Sequence, residues 1–136
     1  MTNETYREAL AALALEIGVD AQALADQQAL VVDGVTLGLA HVQTPGGEGI
    51  QVACKVGPLP PNATAETLRL LLQANTLGPV TAGATVGLQH GADDVVLARR
   101  HPLDTPPAAL ARACQAQSQV ATLWAAALAQ GLPEAA

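Results

Sequence analysis

The chain has 136 residues, the length of one domain, and we expect residues 1–136 to form a single unit that buries about two thirds of its unfolded surface. Its 12 acidic and 6 basic residues give a net charge of −6, which argues against nucleic acid or an anionic membrane as a partner. Half of the residues are hydrophobic but none is Phe, so the predicted core consists of Leu, Val and Ala.

A first amphipathic helix is predicted at the N-terminus, because apolar residues recur there at helical spacing. They are Tyr6, Leu10, Leu13 and Ile17. We expect Asn3 or Thr5 to cap this helix, Gly18 to end it, and a short helical turn to start from Asp20. Charged residues within the periodicity argue against a signal peptide, and no uncharged apolar run of about 18 residues predicts a membrane span. We therefore expect a cytosolic protein.

The pattern then changes to the two-residue period of β-strands. Asp33-Gly34 is a strong turn signal between two apolar runs, which predicts a hairpin over residues 29–43. A second turn, TPGGEG at 44–49, leads into a third strand, IQVACKV at 50–56. Alternate residues of the third strand are predicted to face the core: Ile50, Val52, Cys54 and Val56.

A second helix is predicted over residues 65–76, after the connector GPLPPN, with Asn62 or Thr64 as its cap. Apolar residues cover more than half of its circumference, which is more than one face of a small core requires. We interpret this helix as the interface of a homodimer. The predicted interface residues are Leu68, Leu71, Leu72 and Asn75.

Two further strands, AGATVGLQ and DVVLARR, are predicted around the turn HGADD, after Leu77-Gly78-Pro79 has ended the second helix. A final helix is predicted with Thr105 as its cap and Pro106 at its first position. Its inward-facing residues are Leu110, Ala113, Cys114, Gln117, Val120, Ala121 and Trp124. The element order α-β-β-β-α-β-β-α predicts an α+β sandwich, a twisted antiparallel sheet flanked by helices.

The sequence gives little support for catalysis or metal binding. His41, His90 and His101 lack metal-ligand spacing, so surface positions near strand ends are the better interpretation. Asp93-Asp94 is typical of a solvated hairpin turn rather than of a pair of catalytic carboxylates. Ser118 lies within a helix and has no nucleophile elbow. We predict no enzyme activity, no cofactor and no metal site.

Two glycine-rich stretches, TPGGEG and AGATVG, lack the Lys-Ser/Thr that follows a phosphate-binding loop. We expect Gly83, Ala84 and Gly87 to allow close packing beside the second helix instead. Cys54 and Cys114 occupy apolar positions, and we predict that both are buried free thiols.

Half of the basic residues are the arginines at 69, 99 and 100. We predict that they form surface ion pairs with nearby carboxylates rather than a site for a small anion. The candidate carboxylates are Glu66, Asp93, Asp94 and Asp104.

The second half of the chain contains the segment LLLQANTLGPVTAGATVGLQHGADDVVLARRHPLD, which has a leucine-rich helix, Asn-x-Leu-Gly, a Gly-Ala-Thr-x-Gly-Leu strand and an Arg-containing strand. In this ordered set of motifs the chain resembles the type III secretion chaperones of the Tir-chaperone and YopE-chaperone family. The matching residues are Asn75, Leu77, Gly78, Gly83, Ala84, Thr85, Gly87, Leu88, Arg99, Arg100, Leu103 and Asp104. The element order, small size and acidic charge extend the resemblance over nearly the whole chain.

This resemblance implies a homodimeric, non-catalytic, cytosolic chaperone from a Gram-negative bacterium that pairs through its second helix. Such a chaperone binds the N-terminal region of a secreted effector in extended form, keeps it secretion-competent, and has the export ATPase as a candidate further partner. Effector binding in this family uses hydrophobic patches and strand addition to sheet edges. The corresponding residues are Leu10, Leu13, Ile17, Leu30, Val32, Leu37 and Leu39, for each of which core packing is the alternative interpretation.

Two other classes of function stay open at this point. One is a dimeric regulatory adaptor of secretion without its own cargo, which would not retain an effector segment. The other is a small enzyme with a site at the dimer seam, which would require a deep polar pocket with convergent His and Asp side chains.

Overall fold

The computed structural model describes residues 2–59, 65–76, 83–89 and 93–130. In chain order the elements are α1 (Thr2–Ile17), α2 (Ala21–Gln27), β1 (Ala29–Val32), β2 (Val35–Thr44), β3 (Gly47–Pro58), α3 (Ala65–Ala74), β4 (Thr85–Leu88), β5 (Asp94–Pro102) and α4 (Pro107–Gln130). The five strands form one antiparallel sheet in the order β1-β2-β3-β5-β4. The predicted α+β architecture is confirmed, with α2 as an additional short helix.

The core lies between the sheet and the helices α1 and α4, which pack against each other and against β3. Alternate residues of the central strands are buried, as the two-residue period predicts. The fully buried side chains include Leu10, Leu13, Leu37, Ile50, Val52, Val95, Leu97 and Leu110. Because β1 and β4 are the outermost strands, each has only one strand neighbour, and the two edges of the sheet are formed by these short segments.

Two buried polar side chains fix α4 to the sheet. The Gln117 side-chain amide donates to the carbonyl oxygens of Val52 at 3.0 Å and Leu97 at 3.3 Å, which belong to β3 and β5. The Ser118 hydroxyl donates to the carbonyl oxygen of Val32 at 2.9 Å, at the end of β1. Buried polar groups are costly unless they are paired, so these bonds hold α4 in one position across three strands.

The N-terminal helix ends as predicted but begins earlier. Gly18 has φ of 80° and its N–H donates to the Ala14 carbonyl at 2.9 Å, which is typical of a helix end that requires glycine. The expectation that Asn3 or Thr5 caps α1 is wrong, because the helix already includes Thr2. Asp20 does begin a helix: its carboxylate accepts from the Ala23 N–H at 2.9 Å.

The last helix begins one position later than predicted. Thr105 is not its capping side chain, because the Thr105 hydroxyl donates backward to the Pro102 carbonyl at 2.7 Å. The Leu110 N–H donates to the Pro106 carbonyl at 2.9 Å, so Pro106 precedes the helix and Pro107 is its first residue. A proline fits there because its missing N–H has no partner inside the helix in any case.

The turn and strand predictions are largely confirmed. Asp33 and Gly34 join β1 to β2 with positive φ at both residues, as a two-residue hairpin turn requires. The third strand begins at Gly47, inside the predicted turn 44–49, and ends two residues later than predicted, at Pro58, through a register shift between Lys55 and Gly57. The second helix ends at Ala74 rather than at Thr76. The predicted caps Asn62 and Thr64 and the segment Leu77-Gly78-Pro79 lie outside the described residues.

Within the described ranges, no helix is both long enough and apolar enough to cross a lipid bilayer.

Candidate functional site

The outer edge of β1 presents backbone hydrogen-bonding groups without a strand partner in the described structure. The Leu39 N–H donates to the Gln28 carbonyl at 2.8 Å, which makes Gln28 and Leu39 a hydrogen-bonded pair next to β1. Because hydrogen-bonded pairs alternate along an antiparallel ladder, Leu30 and Val32 face β2 while Ala29 and Val31 direct their N–H and C=O groups outward. This edge therefore offers two donors and two acceptors to an added strand.

A groove of about 520 Å³ runs beside this edge. It is bounded by β1, by the C-terminal end of α1 and by the first turns of α4. Its apolar lining includes Ile17, Val19, Leu30, Val31, Val32, Ala108 and Ala111. Val31 is 65% exposed and Val19 43% exposed, so apolar surface is available next to unpaired backbone.

Charged side chains border the same groove. Glu16 from α1 and Asp33 from the hairpin turn line it, together with Arg112 from α4. The surrounding part of the chain is also acidic, since residues 1–33 contain six carboxylates and a single basic residue, Arg7. The balance of charge at this groove therefore favours a partner that carries basic groups.

The opposite edge of the sheet, at β4, is occupied by a side chain. The Asn75 carboxamide donates to the Val86 carbonyl at 3.2 Å and accepts from the Val86 N–H at 2.6 Å. The Gln89 N–H donates to the Asp94 carbonyl, so in the register of β4 and β5 the groups of Val86 point away from β5. Asn75 thus satisfies the donor and the acceptor that an added strand would use at the centre of this edge.

The four residues predicted for the dimer interface divide into two sets. Leu71 is buried at 5% exposure, within the protomer's own core, and Asn75 is bonded to β4. Leu68 and Leu72 are 41% and 69% exposed on the outer face of α3. Leu88, at the end of the adjacent strand β4, is also exposed, so α3 and β4 together carry an uncovered apolar surface.

The seven residues predicted for effector binding also divide. Leu10, Leu13, Leu37 and Leu39 are buried in the core, so core packing, the alternative interpretation of each, describes them in this structure. Ile17 and Val32 are partly exposed and line the groove beside β1, and the buried Leu30 lines it as well. The structure thus brings three of the seven together at one place.

The groove also contains residues that the sequence did not single out. Val31 points away from the core, and the alternation along β1 was the signal for this. Glu16, Val19, Ala111 and Arg112 could not be selected, because their proximity to β1 depends on how α1 and α4 pack across the sheet.

The histidines do not form a catalytic or metal-binding constellation in the described structure. His41 stacks on Tyr6 with ring centroids 5.0 Å apart, and its Nε2 lies 3.3 Å from Glu48. His101 is buried, which corrects the predicted surface position, and burial, followed by the charge of Arg99, lowers its pKa. Among the described residues, no group of three or more His, Cys, Asp or Glu is arranged to hold a metal ion. His90 lies outside them.

The contacts of Asp94 and Arg100 differ from the predicted ion pairs. Asp94 lies 3.6 Å from Lys55, and Arg100 donates through Nε to the Gln51 side-chain oxygen at 3.2 Å rather than to a carboxylate. The expected close packing at Gly87 is also wrong, because a Cβ placed there would meet no atom within 4 Å. The close contact between α3 and β4 is made by the Asn75 side chain instead.

The prediction that both cysteines are buried free thiols is confirmed. Burial raises the pKa of Cys54 and raises that of Cys114 to about 11. Because the thiolate is the reactive form, both groups are poor nucleophiles near neutral pH.

Comparison with known proteins identifies the fold and the family. The model of the Tir chaperone protein (CesT) family matches residues 8–125. Among solved structures, a chain of the ExsC–ExsE complex is similar at 15% identity with a TM-score of 0.64, covering 94% of this chain and 96% of that one. A chain of the HopA1–SchA chaperone–effector complex is similar at 14% identity with a TM-score of 0.61, covering 96% and 98%. No curated protein sequence matches the chain.

Proposed function

This chain belongs to the Tir chaperone protein (CesT) family, and we propose that it is a cytosolic, homodimeric chaperone that holds the N-terminal region of a secreted effector in extended form for type III secretion. The observation that carries the proposal is the open edge of β1 beside an apolar groove. The two similar structures described above are complexes, one of them described as a chaperone–effector complex, which supports an effector as the partner.

The β1 edge suits an extended chain for a physical reason. An added strand makes main-chain hydrogen bonds with Ala29 and Val31, and these bonds do not depend on the partner's sequence. Alternate side chains of that strand enter the groove against Ile17, Val32 and Ala111, which gives selectivity for apolar residues at every second position. A chain held in this way cannot fold on itself, which is the condition in which a secretion-competent segment must be kept.

The charges beside the groove refine the kind of segment that fits. Glu16 and Asp33 outnumber Arg112, so we propose a segment in which apolar residues alternate with polar residues that include Lys or Arg. Exposed charge pairs contribute little affinity each, but they increase the association rate and select among partners.

The proposed dimer forms through the outer face of α3. Leu68 and Leu72 are too exposed to contribute to the core of one protomer, and Leu88 extends the apolar surface onto β4. A symmetric contact buries each of these leucines twice, at about 1.5–3 kcal/mol for every fully buried side chain. In this proposal the protein binds without catalysis, and delivery of the loaded complex to the export ATPase is a subsequent step.

Site-specific photo-crosslinking tests this function. A photoreactive residue is placed at Val31, and in a matched control at Leu15, which is more exposed but lies on α1 away from the groove. The protein is then irradiated in its own cytosol. The proposal expects crosslinks from position 31 to the N-terminal region of one or more secreted proteins, and few from position 15. Equal crosslinking from both positions, or crosslinks from position 31 only to non-secreted proteins, would contradict it and favour a regulatory adaptor.

A further inference from the structure

The two edges of the sheet differ in one feature that the proposed function does not use. At β1 the outward groups of Ala29 and Val31 have no described partner, whereas at β4 the outward N–H and C=O of Val86 are both bonded to Asn75. A carboxamide can present an N–H donor and a C=O acceptor at about the spacing of a peptide group, so it substitutes for a residue of a neighbouring strand.

We propose that Asn75 is a specificity-determining residue that closes the β4 edge to strand addition, so that each protomer accepts one extended segment, at β1. This inference rests on the proposed binding of an extended segment. It assigns Asn75 a role distinct from the dimer contact predicted from the sequence, because the side chain is directed at the sheet of its own protomer.

The position of Asn75 explains why it can do this. It follows Ala74, the last residue of α3, whose neighbour Leu71 is buried in the core. The Asn75 N–H donates to the Leu72 carbonyl at 3.2 Å, which holds the residue in the first turn after the helix. The side chain therefore reaches Val86 from a fixed backbone, and the bonds cost little additional ordering.

A residue that closes an edge has a clear physical benefit. Val86 lies at the middle of a four-residue strand, and unpaired groups there would form a second template for any extended chain, including another copy of β4. With that template closed, a long unfolded partner has one site per protomer and a defined register rather than two competing sites.

The experiment uses the full-length protein and, as its probe, a short nitroxide-labelled synthetic peptide of alternating Val and Lys residues. Binding stoichiometry is measured by calorimetry, and the bound position by paramagnetic broadening of backbone amide signals. For the wild-type protein the proposal expects one peptide per protomer, with broadening around Ala29–Val32. For Asn75→Ala it expects a second peptide per protomer, with new broadening around Val86, the residue whose outward groups Asn75 occupies in the wild-type protein.

The matched control is Thr76→Ala. It removes a hydroxyl bond to the Gln73 carbonyl in the same turn and leaves both bonds to Val86 intact, so the stoichiometry should stay at one. If Asn75→Ala does not fold, Asn75→Asp keeps the shape and the acceptor but replaces the donor by an oxygen that repels the Val86 carbonyl. The second site is expected there as well.

Two results separate this inference from the proposed function. A folded Asn75 variant that still binds one peptide, at β1, overturns the role of Asn75 and leaves the function standing. A second site that appears at Val86 although the wild-type protein binds no peptide at β1 supports the role of Asn75 and contradicts strand addition at β1. A second site in Thr76→Ala would show that loosening of the turn, rather than the carboxamide, opens the edge, and would also overturn the inference.

Discussion

The two sides of the sheet are built for different contacts. On the β1 side, unpaired backbone lies beside a groove with apolar walls and a mainly acidic border. On the β4 side, the Asn75 side chain is bonded to the outward N–H and C=O of Val86, and exposed leucine side chains of α3 and β4 form an apolar surface. An edge with free peptide groups suits an extended chain of variable sequence, whereas a leucine surface suits a folded partner of fixed shape such as a second copy. Under the proposed function, this difference places cargo on one side and dimerisation on the other.

The largest effect is expected from Leu72→Asp on the β4 side. Loss of a buried leucine from both copies of a symmetric contact costs about 3–6 kcal/mol, which weakens the dimer at least about 100-fold. Because Leu72 is 69% exposed in the protomer, the variant should stay folded. Sedimentation or light scattering should report a monomer, with Leu15→Asp as the dimeric control. A Leu72→Asp variant that remains a dimer would place the interface elsewhere.

On the β1 side, Val31→Pro should weaken binding of an extended segment by about 10- to 100-fold, because it removes an outward donor and places the proline ring at the edge. Thermal stability should change little, since the lost N–H does not bond to β2. Val31→Thr retains the donor and a β-branched side chain, so it should bind nearly normally. Equal loss in both variants, measured by fluorescence anisotropy, would mean that the side chain rather than the edge is recognised.

A smaller effect tests the charges of the groove. The double variant Glu16→Gln/Asp33→Asn removes both negative charges and keeps the shapes of the two side chains. It should reduce the affinity for a Lys-containing segment about two- to fivefold at low salt, and high salt should abolish this difference. Glu8→Gln, which removes a carboxylate from α1 outside the groove, should have no effect. If the double variant binds more tightly, the favoured segment is acidic and Arg112 is the selecting residue.

A change of pH should produce the smallest difference between the two sides. The groups whose pKa values are shifted lie in the core that both sides share. Burial lowers the pKa of His101, so its contribution to stability is present above about pH 6.5 and is lost as the pH falls through its depressed pKa. Burial raises the pKa of Cys114 to about 11, so its contribution is present below about pH 9 and is lost as the pH rises toward 11.

Denaturant midpoints should therefore be nearly constant between about pH 6.5 and 9 and decline on either side. Between these pH values, the ratio of the hydrogen-exchange rates of the Val31 and Val86 amides should stay constant, after correction for the pH dependence of intrinsic amide exchange. Cys114→Ala should reduce the fall of the denaturant midpoint above about pH 9. An unchanged fall would mean that other groups cause it.

The sequence was sufficient to predict the strands and helices, because the hairpin turn at Asp33-Gly34 and the alternation from Ile50 to Val56 are local signals. It was also sufficient to predict that α3 has exposed leucines, because this helix has more apolar residues than one face can bury. It could not separate Leu71 from Leu72, because the direction in which α3 faces is set by its packing on β4.

The binding surface was less predictable. Leu37 and Leu39 have the same alternating pattern as a strand that lines a groove, but β2 lies inside the sheet and both side chains are buried. The order of strands, in which β1 is outermost, depends on long-range pairing and decides which residues meet a partner. Asn75 was singled out for the dimer interface, whereas its side chain bonds to Val86 of the same protomer; this contact joins elements that are separated in the chain and left no signal in the sequence.

Amide hydrogen exchange on a complex with the captured effector segment tests the central claim most directly. If an extended segment adds to β1, binding should slow exchange of the Ala29 and Val31 amides by at least about tenfold. The Val86 amide, already bonded to Asn75, should keep its rate. Unchanged rates at Ala29 and Val31, or new protection confined to β4, would contradict the assignment of the cargo to the β1 edge.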